Sequence, residues 1–466
     1  MPPPSGAWAR LPLPGPFARL LDRFPPGAIL LAVLTFGSYL MGLVRDRVFA
    51  RTFGAGSELD VYNAALLLPE LVLNMLVLSG LGAAFVPVLL RTERDDPARA
   101  EAFTRTVITT AALLMATASA VLFVLAPWTA DLVVPGFDAV QRDEYTRLLR
   151  LMLVSPILFA ISSALGELLV ARQRFLAYGV APLLYNLGIV LGALLLAPSM
   201  GIEGVALGTI VGAVLHLAIR VAGVIRAGFR YRVALDIQTL QFREFLRLSI
   251  PRIVAEPVET ATFIVFNGFA SAMAAGSITA VSFARNFQSV PVSLIGIAFS
   301  IAAFPVLSRV AASGDRGGFR RLVRDNVLLI AGLSALAGVA LALVAGLAIR
   351  LLLGGEAFDD EDVAITTTLL VVFAISVPLE SLTHVLARAI YATRHTILPV
   401  IASLVGLGVI WVTLELVRDS QGLVAVPLAF AAGMAVRVVL LLGTLAWRIR
   451  VLPEVAAEPR AGAGQG

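Results

Sequence analysis

The feature that most constrains this chain is a recurrence of apolar runs, from about residue 29 onward, each long enough to cross the roughly 30 Å hydrocarbon core of a bilayer. Twelve can be traced, at approximately 29–44, 61–90, 107–128, 151–170, 177–198, 205–224, 248–273, 278–307, 327–349, 365–391, 397–416 and 423–447. Unpaired backbone groups are costly in lipid and the runs lack the alternation of barrel strands, so each run is predicted to be a helix. Prolines 69, 87, 291 and 305 are expected to kink the longer ones. With 59% hydrophobic residues and a mean hydropathy of +0.91, a soluble globular fold is excluded. The expected class is an all-α polytopic membrane protein.

Composition removes several chemistries. Cysteine is absent, which excludes disulfides, thiolate nucleophiles and cysteine-ligated metal centres. All 36 basic residues are arginine, so there is no lysine for a Schiff base or a phosphate-clamping P-loop. No cofactor is expected, and any work must draw on an energy source other than nucleotide hydrolysis by this chain. The net charge of +5 suggests nucleic acid until the arginines are sorted by membrane side. If the amino terminus is cytoplasmic, inner segments hold 24 arginines, outer segments 8, and four lie within spans. That split fits an even-numbered bundle with both termini inside, and no nucleic-acid partner.

The chain also repeats itself. AGS at 55–57 recurs at 275–277, FVPVL at 85–89 recurs as FPVL at 304–307, VARQRF with Pro182 aligns with LARAIY and Pro399, and GVAL at Gly204 aligns with GLVA at Gly422. The near-constant offset of 217–220 residues marks a duplication. Six spans per copy is an even number, so the two lobes are expected to share one orientation, related by a pseudo-two-fold along the membrane normal. The expected organisation is a Pro-rich cytoplasmic lead (1–28, with an interfacial stretch at 17–24), a first six-helix lobe (29–228), a cytoplasmic linker (229–247), a second lobe (248–450) and a flexible tail (451–466).

Ionisable groups within spans are costly and are candidate functional residues. They concentrate on the first two spans of each copy. Arg45 and Asp46 close the first span, and Asp60 opens the second, which contains Glu70 and Asn74. Arg252, Glu256 and Glu259 share a face of the seventh, and Arg285, Asn286 and Gln288 lie on the eighth. One reading makes them interhelical ion pairs, Arg45 with Asp46 or Asp60 and Arg252 with Glu256. The other makes Arg45, Arg252 and Arg285 bidentate forks for a phosphate or diphosphate. Arg285 favours the second, since FARNFQ offers it no neighbouring acid. Glu167, Glu380, His384 and Arg388 read as packing near helix ends, His216 as a satisfied core histidine, and the acidic run 356–362 as a solvated loop.

The segment from Gly42 to Leu90 resembles the start of the MurJ/MviN lipid II flippases, through Gly42, Arg45, Asp46, Phe53–Gly56, Asp60, Leu68–Pro69 and Phe85–Pro87. AYGVAPLLYNLGIV (177–190) and SFARNFQSVPVSLIGIAFSIAAFPVLSR (282–309) resemble that family's fifth and eighth helices. The resemblance implies the multidrug/oligosaccharidyl-lipid/polysaccharide exporter fold, a bacterial inner-membrane location, and alternating-access transfer of an undecaprenyl-diphosphate-linked peptidoglycan precursor to the outer leaflet. It implies that Arg45 and Arg285 are cavity arginines, with Arg252 at the family's Pro-Arg position and Asp60 as its motif aspartate; these four are expected to bind substrate, and Asp46, Glu70, Asn74, Glu256 and Glu259 are expected in gating or ion pairs. The expected partners are the lipid-linked glycan, membrane lipids and a monovalent coupling ion. The sequence departs from the family pattern at Tyr39, where an arginine is usual, and at Leu73 and Asn74, where a basic pair is usual; relatives often add two carboxy-terminal helices beyond the twelve expected here. The alternatives are a flippase for another polyprenyl-linked glycan, a drug antiporter of the same superfamily, a membrane glycosyltransferase and a non-transporting cell-wall scaffold.

Overall fold

The computed structural model describes residues 26–255 and 257–451, which fold entirely as helices joined by short turns. We number them α1 (Pro26–Phe53), α2 (Ser57–Asp95), α3 (Pro97–Val133), α4 (Ala139–Ala171), α5 (Phe175–Met200), α6 (Ile202–Arg226), α7 (Leu240–Ala255) and α8 (Pro257–Ala270). The rest are α9 (Ser277–Ala312), α10 (Arg316–Leu352), α11 (Asp360–Ala374), α12 (Ser376–Ala392), α13 (Ile397–Gln421) and α14 (Ala425–Val451). The lead at 1–25, with its interfacial stretch, the residue Glu256 and the tail from 452 lie outside the described residues.

Among the described residues eight helical stretches are long and apolar enough to cross a membrane, or nine if α11 and α12, bent by 43° at Ile375, make one span. The twelve expected runs all fall on helices, though fewer stretches pass as spans: Ile397–Val451 is one stretch that holds both α13 and α14, and α1, α7 and α8 lie outside the eight. Two of the four prolines expected to kink their helices precede an irregular turn, whereas Pro87 and Pro305 sit within continuous α-helix. In α2 a π-turn at Asn74–Leu78 follows Pro69, and in α9 one at Val292–Ile297 follows Pro291 directly. A proline removes an intrahelical donor, and a local widening of the helix accommodates the loss.

The chain divides into two compact units. The first comprises residues up to 53, 61–132 and 137–257; the second comprises 54–60, 133–136 and 258 onward. The core of unit 1 is aromatic, with Phe85 stacked on Phe103 at 5.6 Å and Phe103 edge-on to Phe245 at 6.0 Å. Phe245 lies on α7, which packs against α2 so closely that a Cβ at Gly80 would meet Ser249 Cβ at 2.9 Å. The boundary expected at residues 247/248 thus falls inside a helix of unit 1. Helices α5 and α6 also meet backbone to backbone: a Cβ at Gly188 would lie 2.3 Å from Gly212 Cα, and one at Gly192 2.5 Å from Gly208 Cα. Small residues spaced by four allow such close helix pairs in lipid. In unit 2 the core gathers Leu307, Phe319, Ile330, Ile390 and Leu441.

Backbone landmarks refine the internal register. The start of α2 at Ser57 and of α9 at Ser277 keep the offset of 220. Later, the non-glycine residues with left-handed φ are Gln173 (55°) and Arg394 (60°), and the left-handed glycines before the last helices of the two copies are Gly201 (57°) and Gly422 (52°). Both pairs are 221 apart, so the letter matches at VARQRF/LARAIY and GVAL/GLVA lie three to five residues out of structural register.

Candidate functional site

In unit 1, Arg45 stands near the end of α1, where its guanidinium grips the adjacent Asp46. Nε and Nη2 donate to one carboxylate oxygen at 3.0 and 2.8 Å. Nη1 donates to Asn186 Oδ1 of α5 at 3.3 Å, and the cation lies 5.9 Å from the ring centroid of Phe49. Asp46 is buried, whereas the Arg45 side chain keeps 26% of its surface exposed. Asp46 and Asn186 thus engage all three guanidinium nitrogens and orient the group, while part of the side chain stays exposed.

Glu70 and Asn74 line a cavity of about 460 Å³ in unit 1, between α2, α4, α5 and α6. Its walls are mostly apolar, with Phe159 and Tyr185 beside the carboxylate and His216 and Arg220 contributed by α6. His216 Nδ1 is hydrogen-bonded to Ser162 Oγ at 2.8 Å, as a satisfied core histidine should be. Arg220 was legible only as an arginine within an apolar run. It is buried, donates through Nη1 to the Ser162 carbonyl at 2.9 Å, and lies 4.9 Å from the Tyr178 ring centroid, while its Nε has no partner. Gly166 leaves room for it, because a Cβ there would lie 2.6 Å from Arg220 Nη1.

In unit 2, Arg285 meets the acid that its own segment lacks. Glu380, from α12, accepts from Nη2 at 2.6 Å, and Gln288 accepts from Nη1. Gln288 in turn donates to Glu380 at 3.0 Å and to Ser376 Oγ at 3.1 Å. The guanidinium sits 4.9 Å from the Phe430 centroid and 5.9 Å from that of Phe263. Side-chain exposure is only 11% for Arg285 and 6% for Glu380. This is a closed, saturated pair, and Glu380 belongs to it rather than to packing at a helix end.

Asp60 lies on the corner that joins α1 to α2, within unit 2. Its Oδ1 accepts from Thr279 N and Oγ1, both at 2.7 Å, and its Oδ2 accepts from Gly276 N at 2.7 Å. The carboxylate therefore caps α9, satisfying amide donors that a helix start leaves unpaired. Gly276 must be glycine: its φ is +89° and a Cβ would fall 1.9 Å from the Ala55 carbonyl oxygen. In the acidic run, Asp359 caps α11 and Asp362 accepts from Ala55 N at 3.2 Å. Arg252 lies on α7, Glu259 lies on α8, and their side chains, like the whole of Glu256, are outside the described residues.

A duplicated set of long apolar helices carrying arginine–acid clusters within its spans defines a polytopic membrane transporter of the two-lobed exporter type. Structures with this fold match along most of the chain. One of a lipid II flippase MurJ, inward closed, aligns with a TM-score of 0.76 at 21% identity over 90% of this chain and 87% of its own. An inward-facing multidrug resistance transporter of the MATE family aligns at 0.74, with 13% identity over 90% and 96%. Residues 49–456 match the family model described as lipid II flippase MurJ, and the chain belongs to that family, whose members are transporters and not enzymes. Similar sequences include a probable lipid II flippase MurJ of Rhizobium tropici, 26% identical over 78% of this chain and 69% of the relative. The lipid II flippase MurJ of Burkholderia cenocepacia is 24% identical over 87% and 78%. The protein is accordingly a multi-pass protein of the inner membrane.

Proposed function

We propose that this protein moves lipid II, a polyprenyl-diphosphate-linked peptidoglycan precursor, from the inner to the outer leaflet by alternating access. The observation that carries this reading is the family match along residues 49–456. In the mechanism, the diphosphate docks on Arg45, whose guanidinium is oriented by Asp46 and whose side chain is partly exposed, while the polyprenyl tail stays in lipid. Arg252 and Arg285 contribute further positive charge. Engagement of Arg285 by phosphate requires its bond to Glu380 to open, which makes that pair a gating element. Asp60 acts indirectly, by fixing the start of the helix that bears Arg285. Glu70, Asn74, Glu256 and Glu259 tune the charge around the path.

Both termini are cytoplasmic in this reading, as the arginine distribution requires. Moving a doubly charged head group responds to membrane potential at about 2.3 kcal/mol per charge per 100 mV, so the potential or a monovalent ion supplies the drive. The replacement of a basic pair by Leu73 and Asn74, both on the cavity wall, favours a second reading in which the cargo is another polyprenyl-linked glycan. Leaflet-resolved labelling of lipid II in cells that depend on this protein tests both. Lipid II should reach the outer leaflet with the unaltered chain and drop at least about tenfold with Arg45→Ala, as loss of a charged hydrogen-bond pair implies. No outward lipid II, with rescue of a different glycan pathway, establishes the second reading instead.

A further inference from the structure

The segment between α6 and α7 is not a slack loop. Phe229 is buried in the core of unit 1, and the following residues run as an extended strap pinned to α3. Tyr231 Oη is hydrogen-bonded to Thr109 Oγ1 at 2.9 Å, and Thr109 Oγ1 also accepts from Ala234 N at 3.4 Å. Thr106 Oγ1 accepts from Asp236 N at 3.3 Å, and Arg105 Nε donates to the Arg230 carbonyl at 3.3 Å.

The pinning points fix where the strap lies. Helix α3 has 37 residues, about 55 Å at 1.5 Å per residue, far more than the roughly 30 Å of hydrocarbon it has to cross. Its apolar part begins at Val107, between the two threonines that hold the strap. The strap therefore sits at the boundary between hydrocarbon and water. There it turns outward Val233, 79% exposed, Leu235, 55%, and Ile237, 51%, directly after exposed Arg230 and Arg232. Exposed Arg243 and Arg247 follow on α7, with Asp236 as the strap's one acid. A pair of guanidinium groups followed directly by three exposed apolar side chains at this depth matches the boundary of a bilayer, with the apolar groups in the acyl region and the cations among head groups.

We propose that residues 229–240 form a docking strap for anionic phospholipid, which Arg230 and Arg232 hold by their phosphates while Val233, Leu235 and Ile237 enter the acyl boundary. The absence of cysteine gives a clean test in the full-length protein. A nitroxide is placed on Val233→Cys, and its collisions with oxygen and with a water-soluble nickel chelate are measured in phosphatidylcholine vesicles containing increasing phosphatidylglycerol. The label should move from chelate-accessible to oxygen-accessible as phosphatidylglycerol rises. The fraction of anionic lipid needed for half the change should increase about fivefold for each of Arg230→Gln and Arg232→Gln. Three results overturn the proposal: accessibility independent of phosphatidylglycerol, a lipid response that persists unchanged in the double variant, and burial that follows protein-to-lipid ratio instead, which marks a second copy of the chain as the occupant.

Discussion

The cavity of unit 1 and the closed cluster of unit 2 occupy equivalent places in the repeat and reach opposite outcomes. With the 221-residue register of the late landmarks, Ser155 corresponds to Ser376 and Phe159 to Glu380. With the 218-residue register of the two π-turns, Glu70 corresponds to Gln288. In unit 2, Ser376 is bonded to Gln288, and Glu380 holds Arg285. In unit 1, the Ser155 hydroxyl is buried without a partner, phenylalanine replaces the acid, and about 460 Å³ stays open beside Glu70. One scaffold thus carries two electrostatic solutions, which differ in the acid at position 380 and the cation it holds. A buried carboxylate at position 380 requires a cation, and a buried guanidinium at 285 requires that acid, a pairing that Phe159 cannot make.

The comparison is broken most severely by removing that acid. Glu380→Ala leaves Arg285 buried and uncompensated and should cost about 3–5 kcal/mol, read as a large fall in thermal unfolding temperature in detergent. Replacing both Arg285 and Glu380 by methionine should recover most of this loss, since an apolar pair of similar volume needs no compensation. Next comes the cap: Asp60→Ala strands the buried amides of Gly276 and Thr279 and should cost about 1–3 kcal/mol in the same assay. Arg220→Met in unit 1 sharpens the contrast. Its one carbonyl bond and its aromatic contact offset a buried cation with an unpartnered Nε, so the change should stay within about 1 kcal/mol of zero. Smallest is Arg324→Ala, which breaks an exposed pair with Asp325 at 3.0 Å and should alter stability by less than about 1 kcal/mol.

Helical spans and the duplication were legible in the sequence because apolar length and periodic repetition are local properties. Exact register in the later part of each repeat was not: VARQRF and LARAIY share letters, but the left-handed turns at Gln173 and Arg394 set the structural equivalence. Pairing followed the same division. Arg45 with Asp46 could be read because they are adjacent. Arg285 with Glu380 could not, since 95 residues and several helices separate them. Asp60 looked like part of a substrate motif, and its capping of α9, 219 residues away at Thr279, is set by tertiary packing alone.

The most direct test of this account uses two single-cysteine variants in a chain that has no cysteine of its own. Asn74→Cys lies on the wall of the unit 1 cavity and Ser376→Cys within the saturated cluster of unit 2. Reaction with a small water-soluble thiol reagent should be fast at position 74 and blocked at 376. Equal rates, or protection at 74 with reaction at 376, would contradict the division of the molecule into one open and one closed electrostatic site.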